Sequence, residues 1–267
     1  MLLIGIISTQ SETKGKKMKL RFVTCSDPRE HNSIKSIIDL AHMPRAEIAV
    51  QCHPSKMSAG MPRNVWFNEL LHEANQTSHV NLAIHINCEW ANDICANGKI
   101  PETILNWLQI EKCYNRPLIK RIQLNMPKST AKNINPDALA KIIHDFSHNE
   151  FILQYNNNTK EAVEKLHQTG AKFSLLFDAS GGNGKSPESW QAPVYENHPM
   201  GYSGGMSPTN VMRNLSKINA VAPENRWAWI DAEGRLKSPM LFEEKPQFDV
   251  DLARAYVERA NTWTKQR

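Results

Sequence analysis

The stretch FDASGGNGKS, residues 177 to 186, combines an aspartate with a run of glycines. Its last eight residues are one glycine short of the GxxxxGK[ST] loop that cradles nucleotide phosphates. Such a loop leads straight into a helix, whereas three prolines interrupt the SPESWQAPVYENHP segment that begins at Ser186. We therefore favour a role in which Asp178 ends a strand and projects into a substrate site. The alternative is that Asp178 only caps the backbone N–H groups of the loop. The glycines that would let the loop bend over that substrate are Gly181, Gly182 and Gly184.

A second set of glycines indicates an anion site. Gly204 and Gly205 precede Ser207 and Pro208, which open a predicted helix, and the free N–H groups at a helix start favour a negative charge. Gly234 follows another strand-like run, WAWID. The sequence therefore predicts that the ligand carries a phosphate group, which these loops bind. The alternative is that these glycines only form turns.

These residues lie close together only if the strands that precede them finish at the same end of one sheet. Eight short apolar runs are predicted as strands, at residues 19–25, 46–52, 80–86, 120–126, 150–155, 172–178, 200–204 and 227–231. Segments of helical period alternate with them, which implies parallel strands joined by right-handed crossovers. Eight such units in about 250 residues is the size of a (β/α)8 TIM barrel, whose active sites lie where the strands end. The alternative is an open doubly wound sheet, but TCSDPRE after the first strand lacks its GxGxxG turn.

The prediction is a single α/β domain over residues 18–267. Residues 1–17 are expected to be an extension outside the fold, because Met18 is followed at once by the strand-like KLRFVTC. No stretch approaches the length of an apolar membrane span. No membrane partner is therefore expected.

Composition narrows the class of partner. The 267 residues carry 32 Lys plus Arg and 27 Asp plus Glu, and the charges are spread along the chain rather than clustered as in nucleic-acid-binding proteins. Five cysteines without a CxxC pair suggest neither a disulfide framework nor a zinc ribbon, so a reducing, cytoplasmic location is predicted. The expected partner is a small phosphorylated substrate, with no nucleic acid and no cofactor.

Several histidines and cysteines follow the second and third strands. A metal site built from Cys52, His53, His85, Cys88 and Glu89 is conceivable, but the chain has no HxH or HExxH spacing. Packing and hydrogen-bonding roles are the alternative for these residues. The prediction is no metal, with His85 as a polar group in the wall of the substrate pocket.

Several of these segments together resemble phosphoribosylanthranilate isomerases. In that family a strand ending in Asp leads into GGTGxxFDW, which FDASGGNGKSPESW resembles, and AGGLxxxNV resembles SGGMSPTNV here. DAEGRLK is similar to the family's DVSSGVE, MPRNVW to SPRYVS and FVTCSDP to KICGIT. The matches touch the first, second, sixth, seventh and eighth strands. Departures include a longer loop after the second strand and charged Glu233 and Arg235 around Gly234.

The resemblance implies an Amadori-type isomerase of a phosphorylated aminosugar, N-(5-phosphoribosyl)anthranilate, in tryptophan biosynthesis. It would make Cys25 the general base and Asp178 the general acid, and would give Arg63 the carboxylate of the substrate. The residues that it would assign to the phosphate are Gly204, Gly205 and Gly234. The alternatives are an epimerase or lyase acting on another sugar phosphate, a non-catalytic phosphometabolite-binding barrel, and a nucleotide-binding loop at Lys185.

Overall fold

The computed structural model describes residues 17–77, 79–112, 116–126, 128–178, 186–241 and 243–265. Eight parallel strands close into a barrel, which confirms the predicted (β/α)8 fold. The strands are β1 (Lys19–Ser26), β2 (Ala46–Cys52), β3 (Leu82–Ile86), β4 (Ile119–Leu124), β5 (Glu150–Tyr155), β6 (Ser174–Phe177), β7 (Met200–Ser203) and β8 (Trp227–Ala232). Each strand pairs with the next along the chain, and β1 closes the barrel against β8 with Cys25 beside Ala232.

Helices surround the barrel and cover its outer face. They are α1 (Ile34–Ala41), α2 (Pro54–Met57), α3 (Pro62–Gln76), α4 (Cys88–Asn97), α5 (Glu102–Leu108), α6 (Lys128–Lys132), α7 (Pro136–Asp145), α8 (Lys160–Gln168), α9 (Val211–Val221) and α10 (Val250–Lys265). Two short antiparallel ribbons are added, Glu111–Lys112 with Arg116–Pro117 and Lys237–Ser238 with Gln247–Phe248. No helix within the described residues is both long and apolar enough to cross a membrane.

One helix starts later than its sequence suggests. The helix predicted to open at Pro208 begins at Val211, because Asn210 forms a turn in front of it. The Oδ1 atom of Asn210 accepts a 2.9 Å hydrogen bond from the Ser207 N–H, and its Nδ2 donates to the Gly205 carbonyl. This turn fixes the chain between the glycine pair and the helix.

The interior of the barrel is partly charged. Arg121 on β4 and Glu47 on β2 form an ion pair of 2.7 Å between Nη1 and Oε1, with both side chains 1% exposed. The guanidinium also lies 4.2 Å above the ring of Trp229. Because Trp229 fills the centre of the barrel next to β7, a Cβ on Gly201 would come within 2.0 Å of its indole. This layer forms the floor on which the polar residues at the strand ends lie.

Candidate active site at the mouth of the barrel

A cavity of about 190 Å³ lies where the strands finish, and we call it the mouth cavity. Polar side chains from six different strands or the residues just after them line it: Gln51, His85, Gln123, Gln154, Asp178 and Asp231. In barrel enzymes this end of the strands carries the chemistry. The mouth cavity is therefore the candidate active site.

Asp231 is a buried carboxylate of the mouth cavity. It lies at the end of β8 and is 7% exposed, and its Oδ1 accepts a 2.6 Å hydrogen bond from the Ser26 hydroxyl on β1. Burial raises the pKa of Asp231 to about 7, against the Ser26 hydrogen bond and with the help of the charges on Glu233 and Glu47. A carboxyl group with a pKa near 7 can accept or donate a proton at neutral pH.

Asp178 is the second buried carboxylate. It directly follows β6, is 4% exposed, and its backbone N–H is held 3.4 Å from the Tyr155 carbonyl. Its position at the strand tip is the one that the sequence indicated, and it lines the mouth cavity together with Asp231. The fold thus brings two buried carboxyl groups to one cavity.

His85 is a neutral imidazole in the wall of this cavity. Burial, followed by the nearby charge of Arg121, lowers the pKa of His85 to about 3. The side-chain amides of Gln51 and Gln123 each lie 3.4 Å from its Nδ1. Amide N–H groups donate to Nδ1, so the ring proton resides on Nε2. His85 can therefore donate one hydrogen bond to a substrate oxygen while remaining uncharged.

A chain of side-chain amides fixes the neighbouring wall. Gln123 donates to Asn125 (2.8 Å), Asn125 to Asn87 (2.9 Å), and Asn87 to Gln51 (2.7 Å). Gln51 in turn donates a 3.0 Å hydrogen bond to Oε2 of Glu233. Since each amide is held by its neighbour, the donors and acceptors of this wall have fixed directions.

The far side of the mouth cavity suits an anion. Gly204 and Gly205 have φ angles of 139° and 56°, which side-chain-bearing residues rarely adopt. Gly234 opens a short 3₁₀ turn, and the space beside it is open. Arg235 is exposed, lines the cavity, and forms no ion pair with any described residue. Bare backbone and an available guanidinium are what a phosphate group requires.

Cys25 does not reach the mouth cavity. Thr24 and Ser26 point into the barrel, where they donate hydrogen bonds to Glu47 and Asp231. Because successive side chains of a strand face opposite sides, Cys25 points outward, into the core that the helices cover. It is fully buried there, and burial raises the pKa of its thiol. The geometry thus gives no support to the general-base role predicted for Cys25, and a base must be sought elsewhere.

Arg63 lies beside the mouth cavity rather than in it. Its Nε donates a 2.9 Å hydrogen bond to Glu30, and its Nη1 is 3.8 Å from Oδ1 of Asp27. Its side chain is 9% exposed and contributes to an adjoining cavity that is described below. Its predicted role toward a substrate carboxylate stays a prediction.

Some predicted features fall outside the described residues. Gly181, Gly182, Gly184 and Lys185 belong to the undescribed segment 179–185, and the predicted extension is undescribed up to residue 16. Of the residues that the conceivable metal site comprised, Cys52 is fully buried, and Cys88 and His53 contact each other. Within the described ranges, no three His, Cys, Asp or Glu side chains form a group suited to a metal ion.

Asp231 is the functional candidate that the sequence interpretation missed. The run WAWIDA contains one charged residue among apolar ones, at the end of a predicted strand. A single acid in such a place is a signal that could have identified it, because a carboxylate in an apolar run requires a partner or a function.

No protein-family model matches the chain, and no curated protein sequence matches it. Among solved structures, one described as native KDPGal has a TM-score of 0.50 at 10% identity, covering 93% of this chain and 99% of its own. The YdjI aldolase from Escherichia coli K12 has a TM-score of 0.46 at 13% identity, covering 92% and 90%. The 3-hexulose-6-phosphate synthase from Salmonella typhimurium has a TM-score of 0.45 at 9% identity, covering 91% and 99%. At these identities the first similarity supports the barrel fold alone.

Proposed function

We propose that this chain is an enzyme that transfers protons on a small sugar phosphate, leading to epimerisation or carbon–carbon cleavage. The observation that carries the proposal is that Asp178 and Asp231 line one cavity with Gly204, Gly205 and Arg235. Two carboxyl groups supply an acid and a base, and the glycines and the guanidinium supply a phosphate site.

Asp231 is the proposed base. With a pKa of about 7 it is partly ionised at neutral pH, and the Ser26 hydroxyl holds one of its oxygens in place. It would take a proton from the carbon next to the substrate carbonyl, and the electron pair of that C–H bond would move to the carbonyl oxygen. Nε2–H of His85 is the available donor for that oxygen, and its neutral state keeps it from protonating the oxygen outright.

Asp178 is the proposed partner acid. If it returns a proton to the opposite face of the same carbon, the product is an epimer. If Asp231 instead deprotonates the hydroxyl on the second carbon from the carbonyl, that oxygen becomes a new carbonyl group as the bond between the first and second carbons breaks. The electron pair of the broken bond forms an enolate, which Asp178 protonates at carbon. Both outcomes use the same two carboxyl groups and the same oxygen-binding group.

The aminosugar rearrangement is the second candidate. The observation that favours it is the arrangement of Asp178 at the end of β6 with the Gly204–Gly205 pair after β7, which keeps the family's pattern. In that reaction Asp231 would replace Cys25 as the base that removes the sugar proton. Asp178 would protonate the ring oxygen, as the resemblance implies.

Solvent isotope exchange tests the proposal. The protein is incubated in D₂O with ribulose 5-phosphate, dihydroxyacetone phosphate, glyceraldehyde 3-phosphate or a hexulose 6-phosphate, and NMR follows deuterium at the carbon beside the carbonyl. We expect exchange or cleavage of at least one of these, lost in both Asp178→Asn and Asp231→Asn and kept in Asp251→Asn, whose carboxylate is exposed on α10.

A parallel assay distinguishes the alternatives. Turnover of phosphoribosylanthranilate, without exchange in the other sugar phosphates, would select the second candidate. Protection of the folded protein by inorganic phosphate without any turnover or exchange would contradict both and indicate a non-catalytic binding barrel.

A further inference from the structure

A second cavity of about 530 Å³ adjoins the mouth cavity, and we call it the side cavity. The two share the side chains of Gln51, Asn125, Gln154 and Glu233. The side cavity contains a thiol and an imidazole that the proposed proton-transfer reaction does not use: Cys88 and His53. The barrel topology brings them together, because β2 and β3 are neighbours and each is followed by one of these residues.

Cys88 and His53 are arranged as a nucleophile and its base. The Sγ atom of Cys88 lies 2.9 Å from Nε2 of His53, and Nδ1 of His53 lies 3.4 Å from the Ser55 hydroxyl. A thiol that donates to one ring nitrogen, while a third group orients the other, is the arrangement that activates nucleophiles. Cys88 is half-buried in the wall of a cavity, so a small molecule can approach it.

The other described cysteines lack this environment. Cys25, Cys52 and Cys95 are fully buried, and none has a described imidazole as a hydrogen-bond partner. Burial, followed by the charge of Glu89, raises the pKa of Cys88, so its thiol keeps its proton in the free protein. Reaction at Cys88 therefore needs His53 to take that proton as the bond forms.

A buried carboxylate in the same cavity points to the ligand. Asp27 is 1% exposed and lines the side cavity, and its Oδ2 is occupied by Arg29 and by Lys237. Its Oδ1 is also buried but accepts no hydrogen bond from a described residue, the nearest guanidinium nitrogen of Arg63 being 3.8 Å away. A buried acceptor left without a donor is costly, so a ligand hydroxyl that reached Oδ1 would be favoured. Because this oxygen is closed to solvent in the free protein, the carboxylate would turn toward the cavity as the ligand binds.

The charges of the side cavity select an anion. Three cations and two carboxylates line it: Arg29, Lys56, Arg63, Asp27 and Glu233. Arg29 is paired with Asp27 and Arg63 with Glu30, whereas Lys56 forms no ion pair with a described residue. A ligand with a hydroxyl and an anionic group would therefore meet both Asp27 and a cation while lying beside the Cys88 thiol.

We propose that Cys88, with His53 as its base, is a nucleophile that adds reversibly to the carbonyl of a small anionic hydroxyaldehyde bound in the side cavity. A bond forms between Sγ and the carbonyl carbon, and the C=O π bond breaks. The thiol proton passes through Nε2 of His53 to the former carbonyl oxygen, which gives a neutral thiohemiacetal. The step needs no oxidant or reductant, and its reversal releases the aldehyde unchanged.

Alkylation by iodoacetamide tests the pairing. The modified cysteines are mapped by mass spectrometry over time at pH 7. We expect Cys88 to react at least tenfold more slowly in His53→Gln, and at the unchanged rate in His72→Gln, whose imidazole is exposed on α3. Continued protection of Cys25, Cys52 and Cys95 shows that each variant is folded. Equal rates at Cys88 in all three proteins would overturn the base role of His53.

A matched pair of ligands tests the carbonyl chemistry. Glyceraldehyde 3-phosphate has the aldehyde, the hydroxyl and the phosphate, whereas glycerol 3-phosphate lacks the aldehyde. We expect the aldehyde to protect Cys88 from iodoacetamide at concentrations at which glycerol 3-phosphate has little effect, and dilution to restore reactivity. With 1-¹³C-glyceraldehyde 3-phosphate, NMR should show a thiohemiacetal carbon in the unmodified protein and none in Cys88→Ser. Equal protection by both ligands, or an unchanged spectrum in Cys88→Ser, contradicts the proposal.

This inference is independent of the proton-transfer function proposed above. Asp231→Asn should abolish isotope exchange while leaving the alkylation rate of Cys88 and its protection by the aldehyde unchanged. Each proposal is therefore tested by its own measurement, and one can fail while the other holds.

Discussion

The hydroxyl of Ser26 donates a 2.6 Å hydrogen bond to Oδ1 of Asp231 across the seam where β1 closes the barrel against β8. This bond favours the ionised carboxylate, whereas burial favours the protonated one, and burial is the larger effect. The two opposing effects leave the pKa of Asp231 at about 7.

The first prediction concerns the pH dependence of catalysis. If Asp231 is the base, kcat/KM rises with pH through about 7 as the carboxylate ionises. Ser26→Ala removes a bond to the charged form, so the same rise should move upward by about 0.5–1 pH unit. His85→Asn should lower the rate and keep the rise near 7, because the pKa of His85 is about 3. A rise that stays in place in Ser26→Ala would exclude Asp231 as its source.

The second prediction concerns stability. The folded-state pKa of Asp231 lies above the ordinary value of 3.8, so the folded protein holds this proton more tightly than the unfolded chain. The stability that the proton contributes is present below pH 3.8 and is lost as pH rises through 7. The variant Asp231→Asn does not lose this stability. Its free energy of unfolding relative to the wild type should therefore increase by about 2–3 kcal/mol from pH 5 to pH 8. Urea unfolding at the two pH values, with Asp251→Asn as the control, measures this difference, and a pH-independent offset would contradict it.

The barrel could be predicted from the alternation of apolar strands and helical segments. Which side chains of β1 point into the barrel could not be predicted. All four side chains of β1 from Val23 onward are buried, on both faces of the strand. A strand buried on both sides carries no polar pattern that shows which residues point inward. The assignment of Cys25 to the site therefore depended on a family resemblance. The structure places Ser26 in the barrel instead.

Long-range polar partners also escaped prediction. Glu47 and Arg121 are 74 residues apart; Glu47 is the one charged residue of β2, whereas Arg121 follows Lys120 in β4. The strand ends at Asp178, Gly204 and Gly234 could be predicted, because glycines and single acids mark the ends of apolar runs. It could not show which ends face one another across the cavity, since that depends on the closure of the barrel.

The third prediction concerns the phosphate site. Arg235→Ala removes the exposed guanidinium of the mouth cavity and should weaken the binding of inorganic phosphate by about 10- to 100-fold, corresponding to one or two charge-assisted hydrogen bonds. Isothermal titration at low and at moderate salt measures this loss. Arg259→Ala, which changes an exposed arginine on α10, is the control and should bind normally. Unchanged phosphate affinity in Arg235→Ala would place the anion elsewhere.

The fourth prediction contrasts two glycines. A Cβ at Gly201 would lie 2.0 Å from the Trp229 ring, which cannot move because it fills the barrel, so Gly201→Ala should destabilise the fold by about 3 kcal/mol or more. At Gly234 the same methyl group meets open space, so Gly234→Ala should fold with nearly wild-type stability. Thermal unfolding of both variants checks the contrast. A Gly201→Ala protein as stable as Gly234→Ala would show that Trp229 can shift.

The fifth prediction concerns the buried ion pair below the cavity. Glu47 accepts from Arg121 and from the Thr24 hydroxyl, both at 2.7 Å, and Arg121 also lies 3.5 Å from Glu150. Arg121→Met leaves the Glu47 carboxylate buried without its cation, so we expect a loss of about 3–5 kcal/mol in the free energy of unfolding.

Adding Glu47→Gln to Arg121→Met removes the stranded charge and should recover part of that loss, because burying an uncompensated charge costs more than burying a neutral amide. A double-mutant cycle by urea unfolding gives the coupling between the two side chains. In Arg121→Met the pKa of His85, followed by NMR, should rise from about 3 because one of the causes of its depression is removed. Additive losses in the cycle together with an unmoved His85 titration would show that Arg121 acts only through packing on Trp229.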